Sequence, residues 1–146
     1  MAVAEDFTIE EKEEQERMVL ESVDRFLERD VEPFAHDLEA DDTYPQEIVD
    51  KMVDMGLFGA TIGMEYGGLG LSVSTYAKIV ERVSTVWMSV SGIFNSHLIM
   101  AAAVERSGTE EQKAKWLPKF ASGELRGGIA LTEPDAGTDL QGIRTR

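Results

Sequence analysis

Near its carboxyl end the chain reads Leu131-Thr132-Glu133-Pro134-Asp135-Ala136-Gly137-Thr138-Asp139, a turn ringed by hydroxyls and carboxylates. Pro134 fixes φ and Gly137 permits positive φ, so Pro134 to Gly137 is expected to turn. Such a turn can offer backbone N–H groups, with the Thr132 and Thr138 hydroxyls, to an anion or the polar edge of a ring. By spacing alone a surface hairpin turn is an equal reading. A second polar group, Asn95-Ser96-His97, interrupts an apolar stretch. Buried, such a trio either lines a cavity or is satisfied internally. His36 is the one other histidine and there is no His-x-x-x-His spacing, so no metal site is expected. The run Gly67-Gly68-Leu69-Gly70 invites a dinucleotide-binding reading. That fingerprint needs a preceding strand and a third glycine where Val73 stands, so the run is read as a tight interhelical loop. No Gly-x-Ser-x-Gly elbow and no catalytic pair of carboxylates stands out.

Composition narrows the classes. The 146 residues suffice for one ordinary domain with its own core. A net charge of −14, with scattered Lys and Arg, argues against nucleic acid and against an anionic lipid surface. The absence of cysteine removes disulfides, zinc–thiolate sites and thiol nucleophiles. The acidic start MAVAEDFTIEEKEEQE has no apolar core and is not read as a signal peptide. Val83 to Val104 carries no formal charge over 22 residues, enough to cross a bilayer. Its many Ser, Thr, Asn and His residues make it instead a buried helix of a soluble bundle, with no membrane span.

The elements that must position these groups are mostly helical. Thr8-Ile9-Glu10-Glu11 and Thr109-Glu110-Glu111-Gln112 have capping-box spacing. Apolar residues from Val19 to Leu38 recur at helical steps, and Pro33 should kink or split that helix near Asp30. Pro45 opens a second helix that Gly56 stops. A third begins at Ser74 or a neighbour, the uncharged one runs from about Met88 to Arg106, and the last passes Trp116 towards Phe120 with Pro118 distorting its final turn. Gly127 to Thr132 reads as a short strand. The fold class is therefore all-α, an orthogonal or up-down bundle of about five to six helices with a short C-terminal β-like extension.

In order along the chain, Tyr44-Pro45, Met55-Gly56-Leu57-Phe58-Gly59, Glu65-Tyr66-Gly67-Gly68-Leu69-Gly70, Gly108-Thr109-Glu110-Glu111-Gln112-Lys113, Leu117-Pro118, Gly123-Glu124 and Leu131 to Asp139 together resemble the acyl-CoA dehydrogenase family. The resemblance implies that residues 1–122 are the N-terminal helical domain and 123–146 the first strand and flavin-binding turn of the middle β-domain. It implies an FAD-dependent α,β-dehydrogenation of an acyl-CoA thioester, with hydride passing to flavin N5 and electrons then to an electron-transfer flavoprotein. Carried over by motif, Ile129, Leu131 and Thr132 lie along the flavin ring, and Gly137 and Thr138 approach the FAD phosphates and the acyl-CoA. Thr138 stands where the family usually has Ser. The helix of Asn95 to His97 sits near the acyl chain, leaving His97 open between substrate-pocket lining and a satisfied core residue.

No glutamate in this chain occupies the place of the family's catalytic base, and Glu133 belongs to the turn. The chain is accordingly expected to be truncated, inactive alone and unable to retain FAD. The whole protein is expected to be cytoplasmic and homo-oligomeric. Two alternatives stand beside this reading: a sister flavoenzyme of the same fold (an acyl-CoA oxidase or a flavin monooxygenase), and a non-enzymatic helical interaction module.

Overall fold

A computed structural model describes residues 8–145, so the reading of the first seven residues lies outside it. Five α-helices follow in order: α1 (Ile9–Phe26), α2 (Glu32–Ala40), α3 (Gln46–Asp54), α4 (Val73–Ser107) and α5 (Glu110–Ala121). Both capping boxes form: Thr8 exchanges hydrogen bonds with Glu11 ahead of α1, and Thr109 with Gln112 ahead of α5. Ser72 caps α4 through the amide of Thr75.

Pro33 leaves α1 and α2 continuous. The chain between them widens into a π-turn, Leu27–Val31, and Pro33 falls in the first turn of α2, where its missing N–H costs little. The π-turn presents Asp30, which is buried at 7% exposure. Its carboxylate accepts from Arg29 and, at 2.7 Å, from Lys51 of α3. The Arg29 guanidinium first, and then Lys51, hold this carboxyl down to about 2. Pro118 lies inside α5, which nonetheless runs on to Ala121.

The uncharged stretch is where sequence and structure differ most. α4 carries non-helical torsions at Trp87 (φ −154°, ψ 102°), so the two helices expected there are its two halves. These halves lie side by side. The Tyr76 hydroxyl bonds to Asn95 Oδ1, and Ser84 Oγ lies 2.9 Å from Ser91 Oγ. Nineteen residues of straight helix would rise about 28 Å, far beyond the reach of a Tyr–Asn pair. The chain therefore doubles back at Trp87, and the uncharged stretch is not one bilayer-length rod. Glu39, at the end of α2, fastens the reversal by accepting from Trp87 Nε1 and from Ser89 Oγ.

Leu57–Ile62 threads through the core, with Leu57, Phe58, Ala60 and Ile62 at most 1% exposed. Its carbonyls are satisfied by the glycine loop: the amides of Leu69, Leu71 and Gly70 bond to Gly59 O, Ala60 O and Ile62 O at 2.8–2.9 Å. Gly67 takes a φ of 82°, and a Cβ on Gly68 would stand 2.1 Å from the Ile62 carbonyl oxygen. These glycines are demanded by the fold, as the interhelical-loop reading expected. Around this loop pack Val23, Met52, Ile79, Val83, Phe94, Leu98 and Leu117.

Candidate functional site

The second half of α4 presents two faces of different character. Val90, Phe94, Leu98 and Ala101 are buried in the core. On the opposite side Met88, Gly92, Ser96, Ile99 and Ala103 are exposed. Steps of four, four, three and four place these five on one stripe. Met88 is 73% and Ile99 52% exposed, and no charged side chain occurs between Met88 and Val104. In a chain of net charge −14 such a bare stripe is unusual, because solvated helix faces here are otherwise dense in acids.

The Asn95-Ser96-His97 trio separates, since successive helical side chains diverge by about 100°. Ser96 faces out on the stripe, Asn95 is half-buried against Tyr76, and His97 is 1% exposed. Burial also pushes the Tyr76 hydroxyl up from its ordinary pKa. His97 Nε2 lies 3.1 Å from the carbonyl oxygen of Phe120, and Nδ1 is 3.4 Å from the amide of Gly127. Phe58 and Phe120 meet its ring edge-to-face. Burial pushes the imidazole below its usual range, against hydrogen bonding to the Phe120 and Phe58 carbonyls that favours the charged ring.

After α5 the chain turns at Gly123 and returns to α4 at Gly127, where a Cβ would stand 2.8 Å from Met100 Cε. From there the exit segment runs past Ile129 and Leu131, 45% and 49% exposed, to Thr132. Gly127 to Thr132 is not a strand: among the described residues the one β-type contact is the bridge between Glu133 and Ala136. A strand needs a neighbour to accept its ladder bonds, and no described segment supplies one.

The turn is also displaced by one residue from the expected position. Glu133 N bonds to Ala136 O at 2.8 Å and Ala136 N to Glu133 O at 3.3 Å, so Pro134 and Asp135 form the corner. Gly137 lies beyond it, without a left-handed φ. The Glu133 carboxylate accepts from the amides of Arg144 and Thr145 at 2.9 and 2.8 Å and from the Thr145 hydroxyl. These bonds, the Thr145 hydroxyl first, hold its carboxyl below the usual range. Glu133 thus closes the terminal loop, and its oxygens are taken. Thr132, Gly137 and Thr138 are all exposed around this loop.

Gly92, Gly128 and Gly137 share a property. None has a left-handed φ, and a Cβ on any of them would meet nothing within 4 Å. The fold does not require glycine at these places. They lie on the stripe, on the exit segment and just after the turn, where glycine leaves room for something from outside to approach closely. Gly92 and Tyr76 escaped the sequence reading; steps of four through an uncharged helix were the signal for Gly92. The described residues hold no cluster of His, Asp and Glu suited to a metal. A cleft of about 430 Å³ lies elsewhere, between α2 and α3, lined by Phe34, Leu38, Tyr44 and Ile48.

Comparison with known proteins identifies the family. Residues 13–124 match the family model described as acyl-CoA dehydrogenase, N-terminal domain. The chain belongs to the acyl-CoA dehydrogenase family. It is 38% identical over 135 residues to (2S)-methylsuccinyl-CoA dehydrogenase of Cereibacter sphaeroides, covering 92% of this chain and 25% of that protein. Its fold matches butyryl-CoA dehydrogenase from Megasphaera elsdenii with a TM-score of 0.83 at 28% identity, over 96% of this chain and 37% of that one. It also matches an acyl-CoA dehydrogenase complexed with FAD from Bacillus anthracis, with a TM-score of 0.75 at 29% identity, over 97% of this chain and 24% of that one. The chain thus spans between a quarter and about two fifths of the length of these acyl-CoA dehydrogenase relatives. The family model stops at residue 124, so the exit segment and turn are matched only through the longer alignments.

Proposed function

We propose that the α4 stripe, the exit segment and the closed turn form one wall of the flavin and acyl-CoA cleft of an FAD-dependent acyl-CoA dehydrogenase. The observation that carries this reading is the uncharged, exposed stripe Met88–Gly92–Ser96–Ile99–Ala103, together with the exposed apolar Ile129 and Leu131 of the exit segment, on an otherwise acidic chain. The residues fit the cofactor. Ile129 and Leu131 offer an apolar bed for a flat ring, the Thr132 hydroxyl a hydrogen bond at its polar edge, and Gly137 and Thr138 an approach for phosphate oxygens. Gly92 and Gly128 leave the wall low enough for close contact.

Bound FAD would supply the hydride acceptor for α,β-dehydrogenation of an acyl-CoA thioester. The chain's own part is to shield the reacting carbons from water with the stripe and to hold the ring in register through Thr132. Glu133 takes no part as base, because its oxygens already accept three donors. One wall does not make a cleft, so the 146 residues alone are expected to hold FAD weakly and to be inactive. In the whole enzyme the electrons pass on to an electron-transferring flavoprotein.

The test is a chimera in which residues 8–145 replace the matching part of the Megasphaera butyryl-CoA dehydrogenase. It is expected to purify yellow with stoichiometric flavin and to oxidise butyryl-CoA, while the chain alone stays colourless. A chimera that unfolds cooperatively but carries no flavin refutes the reading, as does a chain that binds FAD and turns over acyl-CoA unaided.

A further inference from the structure

The exit segment leaves the bundle at Gly127, whose amide bonds to the His97 side chain. His97 Nε2 faces the carbonyl oxygen of Phe120, in the last turn of α5, at 3.1 Å, and a carbonyl can only accept, so Nε2 carries the proton. In the neutral ring Nδ1 is then a lone pair, which is what the amide of Gly127 needs at 3.4 Å. The ring therefore reads a donor on one side and an acceptor on the other. The edge-to-face contacts from Phe58 and Phe120 fix its plane. Nothing polar of His97 reaches the exposed stripe, for it is 1% exposed.

We propose that His97 is a positioning residue: as the neutral Nε2–H tautomer it ties the end of α5 to the start of the exit segment and so aims Ile129, Leu131 and Thr132 along the α4 stripe. Burial favours the neutral ring and outweighs the Phe120 and Phe58 carbonyls, which favour the charged one. Residues Leu57 to Ala60 bear no titratable group, and Lys119 of α5 is paired with Glu124 at 2.8 Å. Arg126, whose guanidinium stands over the Phe58 ring, is the one charge acting on the imidazole, and it opposes a second positive charge. Gly127 is close-packed on Met100, so the segment has one seat, and the His97 bond sets its height. That the segment then serves a flavin rests on the function proposed above; the junction itself does not.

Nitrogen-15 spectra of the imidazole in the 146-residue chain at pH 8 are expected to show the Nε2–H tautomer, and the Gly127 amide to be protected from exchange. In His97→Phe, which keeps the aromatic packing, Gly127 protection is expected to fall about tenfold while the amides of Leu98 and Ala101 stay protected. His97→Gln, with one donor and one acceptor, is expected to restore it. An Nδ1–H tautomer, unchanged Gly127 protection in His97→Phe, or no rescue by Gln overturns the proposal. If His97→Phe fails to fold, the wild-type tautomer and His97→Gln decide it. In a flavin-binding chimera His97→Phe is expected to weaken FAD retention about tenfold and His97→Gln to recover it. Unchanged retention there refutes the positioning role. A colourless chimera counts instead against the proposed function and leaves amide exchange to decide the junction.

Discussion

One substitution, glycine to alanine, should have opposite effects at two positions in this chain. At Gly68 a Cβ would stand 2.1 Å from the Ile62 carbonyl oxygen and 2.6 Å from its carbon. That oxygen is already bonded to the Gly70 amide at 2.9 Å, so the backbone of the core loop must move. Overpacking against backbone of this kind costs about 1–3 kcal/mol or more. At Gly92, inside α4 and exposed, a Cβ meets nothing within 4 Å. There alanine restricts the unfolded chain and favours helix, so Gly92→Ala should gain about 0.8–1.0 kcal/mol. For a chain of this size that corresponds to a melting temperature about 3 °C higher. Urea unfolding followed by circular dichroism measures both variants. Under the proposed function, the open space at Gly92 is where the acyl-CoA comes close. Gly92→Ala, and more strongly Gly92→Leu, should therefore weaken acyl-CoA binding in the chimera while stabilising the chain. A Gly92→Ala chain that is less stable than the wild type refutes the structural argument. A Gly92→Leu chimera with unchanged substrate affinity refutes the functional one.

Three further outcomes are expected. Glu133→Gln keeps the shape of the clasp but replaces one acceptor oxygen by a donor, so trypsin should cut after Arg144 faster than in the wild type, and as fast as in Glu133→Ala; equal cutting of wild type and Gln would show that the carboxylate does not hold the loop. Asp30 is held at about 2 against an ordinary 3.8, so its stabilising effect is complete above about pH 4 and is lost as pH falls towards 2; Asp30→Asn should flatten the acid limb of the stability profile, and an unchanged limb would count against the Arg29–Asp30–Lys51 group. Tyr76→Phe removes one of the side-chain bonds that join the two halves of α4 and should cost about 1–3 kcal/mol in denaturant unfolding, while Tyr76→Phe in an Asn95→Ala background should cost much less; strict additivity would argue that the halves do not touch there.

Much of the fold was legible because its signals are local. A capping box is settled within four residues, and Thr8 and Thr109 form theirs as spaced. Gly56, with φ at 73°, stops α3 where its place after Met55 suggested. The ordered motifs that resemble the acyl-CoA dehydrogenase family named it correctly. Less was legible where the answer depends on what lies opposite. Pro33 forbids one hydrogen bond, but its place in the sequence does not say whether the chain breaks or, as here, widens into a π-turn whose Asp30 meets Lys51 of α3. Glu133 looks like one more acid in its motif until Arg144 and Thr145 return to it. Gly127 to Thr132 has the composition of a strand, but a strand is a property of a pair.

The sequence by itself determined that this is an acidic, cysteine-free helical domain of the acyl-CoA dehydrogenase family, because composition, caps and motif order need no partner to be read. Only the tertiary structure decided that the uncharged stretch doubles back at Trp87, that one side of its second half is bare, and that His97 faces inward to hold the exit segment. Those facts concern distances between residues many positions apart. Periodicity tells which side chains share a face, but only the packed chain shows which of those faces is covered.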